Sequence, residues 1–292
     1  MIKVIVDSGM DQNKWFKNNY DYDFLPLSVI LDNEAYIDEQ EITLEELHKE
    51  MKSGKMPSTS QPSPGQVQEV LEKNRKEGND VIFVTIWKNL SGTYQVIKSI
   101  VDEYKEQYPD FKVAIVDCLS ASVAGTLVAI RAMEMIEAGY DFEDVVEQAE
   151  WNAENVLINL TVDNLNWLVQ GGRVSKTAGF IGSALNVKPI LRVNEEELYS
   201  DTMVRGNKRV YNRLVKNMKE ETKPYDDQLV YISHVGEEEN AKKVEELVKK
   251  EMPYARTMIF EFGAVLAAHI GVGGVAIATI TEKPETYFIP EI

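Results

Sequence analysis

Cysteine is nearly absent: Cys118 is the only one in 292 residues. No intramolecular disulfide can form, and a reducing, cytoplasmic setting is expected. No apolar run approaches the ~20 residues of a membrane-spanning helix, so integral membrane association is not expected. The opening Met1-Ile2-Lys3-Val4-Ile5-Val6-Asp7 carries too few apolar residues for a signal peptide and reads as a strand. Positive charge is also scarce. Lys and Arg number 31 against 48 Asp and Glu, a net charge of -17. Such a surface repels phosphate backbones, which argues against nucleic acid. It disfavours anionic membrane surfaces for the same reason, and an acidic exterior ordinarily serves solubility. No second carboxylate stands at ligand spacing from Asp7, so no metal site is expected, and no cofactor is expected either.

What is present suits a soluble globular protein, with 44% hydrophobic and 27% charged residues and a length that favours two domains. Residues 2–6 read as a buried strand ending at Asp7-Ser8-Gly9, residues 24–31 as a second apolar run, and 44–52 as a helix capped by Thr43. An amphipathic helix follows at 66–76. Strand 80–86, helix 92–108, strand 112–116 and helix 123–138 then alternate. Alternation with continuous apolar strands predicts a mostly parallel sheet covered by helices on both faces.

The texture changes near residue 155. A strand at 156–162, a short helix at 164–169 and a hairpin of 184–193 with 197–204 precede helix 208–219, strand 228–232, helix 238–250 and strands 256–259 and 275–279. The fold class is therefore α/β with two α/β domains: residues 1–155, and residues 156–292 with a mixed sheet and helices.

Two hydroxyl clusters stand out, Pro57-Ser58-Thr59-Ser60-Gln61-Pro62-Ser63-Pro64-Gly65 and Leu90-Ser91-Gly92-Thr93-Tyr94-Gln95. Each lies where the chain enters a helix, a place with free N–H groups beside Ser and Thr hydroxyls. Three chemistries fit. A phosphate cradle lacks its Walker lysine and its G-x-G-x-x-G. A serine esterase or phosphate-transferring enzyme could draw on Ser91, His269 and Asp117, but Ser91 lacks the G-x-S-x-G elbow. The third is a carboxylate held by neutral donors without turnover. A hydroxyl brings no charge of its own to be desolvated.

His269 follows the apolar run Phe262-Gly263-Ala264-Val265-Leu266-Ala267-Ala268 and precedes Gly271, Gly273 and Gly274. An apolar setting suggests a core histidine; the glycines suggest close approach to a ligand. His48 reads as solvated on a charged helix, and His234 ends a strand, a position from which a cleft can be lined. Gly171-Gly172-Arg173-Val174-Ser175 is a tight turn that presents an arginine, either on the surface or as a grip for an anionic group.

Taken together, Val6-Asp7-Ser8, Thr59-Ser60-Gln61-Pro62-Ser63, Leu90-Ser91-Gly92-Thr93-Tyr94-Gln95, Gly171-Gly172-Arg173-Val174-Ser175, Asn186-Val187-Lys188-Pro189-Ile190-Leu191 and His269-Ile270-Gly271 run in the order seen in the DegV family. The chain resembles these bacterial fatty-acid-binding proteins, acyl carriers for fatty acid kinase, over essentially its whole length. One departure is Val272-Gly273, where the family usually places a proline. The resemblance implies a long-chain fatty acid, such as palmitate or oleate, held between the two domains. It implies carboxylate contacts at Thr59, Ser91 and His269, with Ser60, Gly92 and Thr93 adjacent, and a partner-facing Arg173. It further implies a carrier that is not itself an enzyme, its bound acid being phosphorylated by the separate kinase.

Overall fold

Alternation on the first strand sets the first sheet. β1 (Ile2–Asp7) turns Val4 and Val6 to one face and Ile5 to the other. The structure, a computed structural model, describes residues 1–175 and 186–286. After α1 (Lys14–Asn19), β2 (Tyr22–Leu25) pairs parallel with β1. The apolar run at 24–31 is divided, because Pro26 has no N–H to continue a ladder. The chain restarts as β3 (Ser28–Leu31) and turns over Asp32 and Asn33, both at positive φ, into β4 (Glu34–Ile37). α2 (Leu44–Lys52) starts at Thr43 with reciprocal bonds between Thr43 and Glu46. β5 (Ser58–Ser60) joins β3 antiparallel to give a small sheet, β4-β3-β5. α3 (Pro64–Glu77), β6 (Asp80–Thr85), α4 (Thr93–Gln107) and β7 (Val113–Asp117) complete the all-parallel sheet β2-β1-β6-β7.

α5 (Val123–Glu137) and α6 (Phe142–Glu154) follow; α6, which the sequence reading omits, is capped by Asp141 accepting from the Asp144 N–H. Then come β8 (Val156–Thr161), α7 (Asn166–Gln170), β9 (Val187–Val193) and β10 (Leu198–Arg205). β9 and β10 form the expected hairpin, though positions 184 and 185 of its first strand lie outside the described residues. α8 (Asn207–Glu221), β11 (Gln228–His234), α9 (Glu238–Glu251), β12 (Ala255–Glu261), α10 (Ala264–Ile270) and β13 (Val275–Ile280) finish the chain. The second sheet, β10-β9-β8-β13-β11-β12, is mixed, with only β11 and β12 parallel.

Helices α3 and α4 cover the outer face of the first sheet, over Ile5, Val81 and Phe83. Helices α8 and α9 cover the outer face of the second, over Val230, Ile232 and Ile277. Between the sheets lies α5, in contact with β1 and β6 on one side and with β8, β11 and β13 on the other. Every residue from Val123 to Met135 is buried. Its circumference is largely apolar, as a layer flanked by two sheets demands, and its buried charges, Arg131 and Glu134, form an ion pair with each other.

Asp11 fastens this seam. Its carboxylate accepts from the Ser122 hydroxyl and, at 3.2 Å, from the Gly263 N–H, while its carbonyl accepts from Thr126. Burial pushes the carboxyl up to about 7, against the pull of Ser122 and Ser233. The folded chain thus keeps a proton that the unfolded chain gives up near pH 4. Stability from this group is complete below about pH 4 and is lost as pH rises through about 7. Asp11→Asn removes that dependence. The melting temperature of the variant relative to the parent is expected to climb between roughly pH 4 and pH 7 and to level off above. A constant difference would mean the carboxyl is ionised throughout.

Candidate ligand-binding site

The residues just beyond β2, β6 and β7 (Leu27, Ile86 and Ser120) face Ile158 and Leu160 of β8 across a cavity of about 70 Å³. The first sheet offers it the carboxyl ends of its strands, the edge where open α/β sheets bind ligands. The walls are dominated by aliphatic side chains from both halves of the chain, with Phe262 the aromatic member.

Polar groups cluster at one part of this wall. Thr59 Oγ1 on β5 and His269 Nε2 on α10 share a hydrogen bond of 2.8 Å, with the donor set by the imidazole tautomer. Burial, with a smaller push from Arg173, holds the imidazole down at about 3, so it is neutral. Its other nitrogen, Nδ1, is buried without a partner and lies against Gly171, where a Cβ would come within 2.2 Å of it. Any side chain at residue 171 would displace the ring. The apolar run before His269 is thus both core and scaffold: α10 is buried throughout and delivers the imidazole to the cavity.

Ser91 enters from the loop after β6. Its hydroxyl pairs with Thr93 Oγ1 at 2.8 Å and accepts from the Thr93 N–H at 3.3 Å. Gly92 is the N-cap of α4 and has no side chain to satisfy the free N–H groups there. Gln61 Oε1 fills the space instead, 2.0 Å from where a Cβ at residue 92 would sit. The two hydroxyl clusters therefore meet in space, through Gln61 on Gly92 and through shared lining of one cavity by Thr59 and Ser91. Ser60, next to Thr59 on the same strand, faces the opposite side and does not line the cavity.

Arg173 is half-buried. Its guanidinium donates to the Leu90 carbonyl at 3.0 Å and to the Gly171 carbonyl, and it also lines the cavity. This cation is folded against the loop that carries Ser91. Asp117 points elsewhere: it lies 3.7 Å from Lys88 Nζ and accepts from the Leu119 N–H. Since His269 Nε2 bonds Thr59 and Asp117 does not reach the imidazole, no Ser91–His269–Asp117 relay forms among the described residues. No group of metal-ligating side chains is found among them either.

His48 departs from its expected solvated position. His48 is buried, not solvated, because its face of α2 packs on Gly236, whose missing side chain leaves room for the ring. Burial is the main cause that pushes this imidazole down to about 4. His234 is also buried at the end of β11, away from the cavity. Sequence reasoning missed Ser122 as a wall residue and Gln61 as a brace. The carboxyl end of β7, Asp117-Cys118-Leu119-Ser120, is the signal that could have found the first.

This architecture defines an α/β ligand-binding protein whose apolar cavity carries a cluster of neutral hydrogen-bonding groups. The chain belongs to the DegV family: the family model, described as "Uncharacterised protein, DegV family", matches residues 1–282. A DegV domain-containing protein of Clostridium perfringens is 30% identical over 285 residues, covering 97% of this chain and 98% of that one. A DegV family protein from Thermus thermophilus, whose structure is described for its fatty acid binding, is 27% identical with a TM-score of 0.86, covering 96% and 99% of the two chains. A stearic-acid-binding protein from Eubacterium ventriosum is 25% identical with a TM-score of 0.87, covering 96% and 98%. Among the described residues no helix is long and apolar enough to cross a membrane.

Proposed function

We propose that this chain is a carrier for a long-chain fatty acid. The acyl tail occupies the cavity between the units formed by residues 1–155 and 156–292, and the carboxylate meets Thr59, Ser91 and His269. One observation carries the reading: an apolar-lined cavity between the two halves with the Thr59–His269 and Ser91–Thr93 pairs on its wall. Each buried methylene contributes about 0.8 kcal/mol, so a sixteen-carbon tail gains roughly 12 kcal/mol before ordering costs. The head group then needs only enough donors to avoid an unsatisfied buried carboxylate. Ser60, on the far side of the strand, contributes through its backbone, and Gly92 and Thr93 supply N–H groups at the start of α4.

Neutral donors leave a carboxylate oxygen nucleophilic. A separate ATP-dependent fatty acid kinase transfers the terminal phosphoryl group of ATP to that oxygen, giving an acyl phosphate and ADP. Arg173, beside the head group and half-exposed, is the residue through which that partner engages. The carrier performs no turnover itself and works in the cytoplasm.

Native mass spectrometry of freshly purified protein tests the core of this reading. A co-purified mass matching a C16–C18 fatty acid, exchangeable for added stearic acid, is expected. A chain that arrives empty and takes up no stearic acid defeats it.

A further inference from the structure

One wall of the cavity carries a polar group that the head-group contacts leave unused. Ser120 lines the cavity, is 2% exposed, and its Oγ has no hydrogen-bond partner in the protein. A buried hydroxyl without a partner is destabilising, and aliphatic walls offer it nothing. The backbone around it is strained as well. Leu119 has φ +50°, and Ser122 has φ +60° with ψ −144°, a region that residues with side chains rarely enter.

Several bonds hold that conformation, among them the Cys118 thiol donating to the Ser120 carbonyl at 3.0 Å and the Leu119 N–H donating to Asp117. The Trp87 N–H donates to the Ser120 carbonyl at 2.9 Å, the Ser122 N–H donates to the Gly9 carbonyl at 2.6 Å, and the Ser122 hydroxyl donates to Asp11. Strain that the surroundings over-determine is a mark of functional positions. Ser120 also differs from Ser91 and Thr59, whose hydroxyls pair with Thr93 and His269. The head-group hydroxyls are mutually satisfied before a ligand arrives, whereas Ser120 is not.

We infer that Ser120 is a specificity-determining residue that reads a second polar group on the ligand. The preferred cargo is then a fatty acid bearing a hydroxyl or oxo group along its chain, not a plain saturated one. This inference rests on the fatty-acid reading of the same cavity. A site built to hydrogen-bond a ligand group discriminates against the analogue that lacks it, because its own polar group is left unpaired.

Displacement of a fluorescent fatty acid by stearic acid and by 2-, 10- and 12-hydroxystearic acid, in the parent and in Ser120→Ala, tests it. At least one hydroxy isomer should bind the parent about tenfold more tightly than stearic acid. Ser120→Ala should erase that advantage while binding stearic acid as well or better. The inference fails if no isomer is preferred, if the preference survives in the variant, or if Ser120→Ala weakens all four ligands equally, which would place Ser120 at the head group. Failure of every ligand to bind would strike the fatty-acid reading itself. Ser120→Thr, which keeps the hydroxyl, should retain the preference and guards against a folding defect in the alanine variant.

Discussion

A protein carrying Thr59→Val and Ser91→Ala together is expected to lose roughly 10²–10⁴-fold in affinity for stearic acid while keeping its melting temperature. Each hydroxyl is proposed to donate to a carboxylate, and such a bond is worth about 1.5–3 kcal/mol. Every 1.4 kcal/mol is about tenfold in affinity. Neither residue belongs to the apolar core, and each is only partly buried. Thr59→Val also strips His269 Nε2 of its partner, so the imidazole faces the ligand with both nitrogens unpaired. The single variants should each show part of the loss, with Thr59→Val the larger for that reason. Unchanged displacement curves for the double variant would remove the carboxylate from this wall.

The second large effect is expected at Arg173. Arg173→Ala should retain its co-purified lipid yet support little kinase-dependent acyl-phosphate formation. The reason lies in the geometry of the guanidinium. Two of its N–H groups are committed to the carbonyls of Leu90 and Gly171, and its planar fork has five donors, so others remain for a partner's carboxylate or a transferring phosphoryl group. Lysine cannot reproduce that division, and Arg173→Lys should rescue poorly. Lipid content by mass spectrometry, read beside turnover with added kinase and ATP, separates the roles. If the alanine variant sheds its lipid, the arginine serves as a brace for the Ser91 loop; if it is phosphorylated normally, it serves no partner.

Elements with strong local signals were legible in the sequence. Thr43 followed by Glu46 gave the start of α2, and the apolar strands at 2–6, 80–86 and 112–116 announced a parallel sheet. The small sheet was not legible. β5 is Ser58-Thr59-Ser60, without apolar alternation, and its pairing with β3 depends on a partner thirty residues away in sequence. The one local signal for β4 is Asp32-Asn33, which takes the positive-φ turn before Ala35 and Ile37. Helix α6 carried a local signal too, the Asp141 cap followed by acidic residues in its first turn.

The candidate site divides the same way. Hydroxyls at helix entries are a local pattern, so Thr59 and Ser91 stood out before any geometry. Their meeting with His269 is not local, since 210 positions separate it from Thr59. Burial of His48 was likewise invisible: a charged helix conceals one apolar face, and the glycine that makes room for the ring lies on β11's trailing loop. Ser120 could be seen only once its neighbours, and the lack of any partner among them, were known.

The buried, largely apolar helix between the two sheets has a consequence for synthesis on the ribosome. When α5 emerges, only β1 and β6 are available to cover it, and the side destined for β8, β11 and β13 is bare. β13 begins at Val275, nearly 140 residues after the helix ends at Glu137. At about 5–20 residues per second, that is an interval of roughly 7–28 s during which a sticky surface waits for its cover. The nascent chain is therefore a natural client for chaperones that shield apolar helices, and the second half acts as the finishing layer of the first.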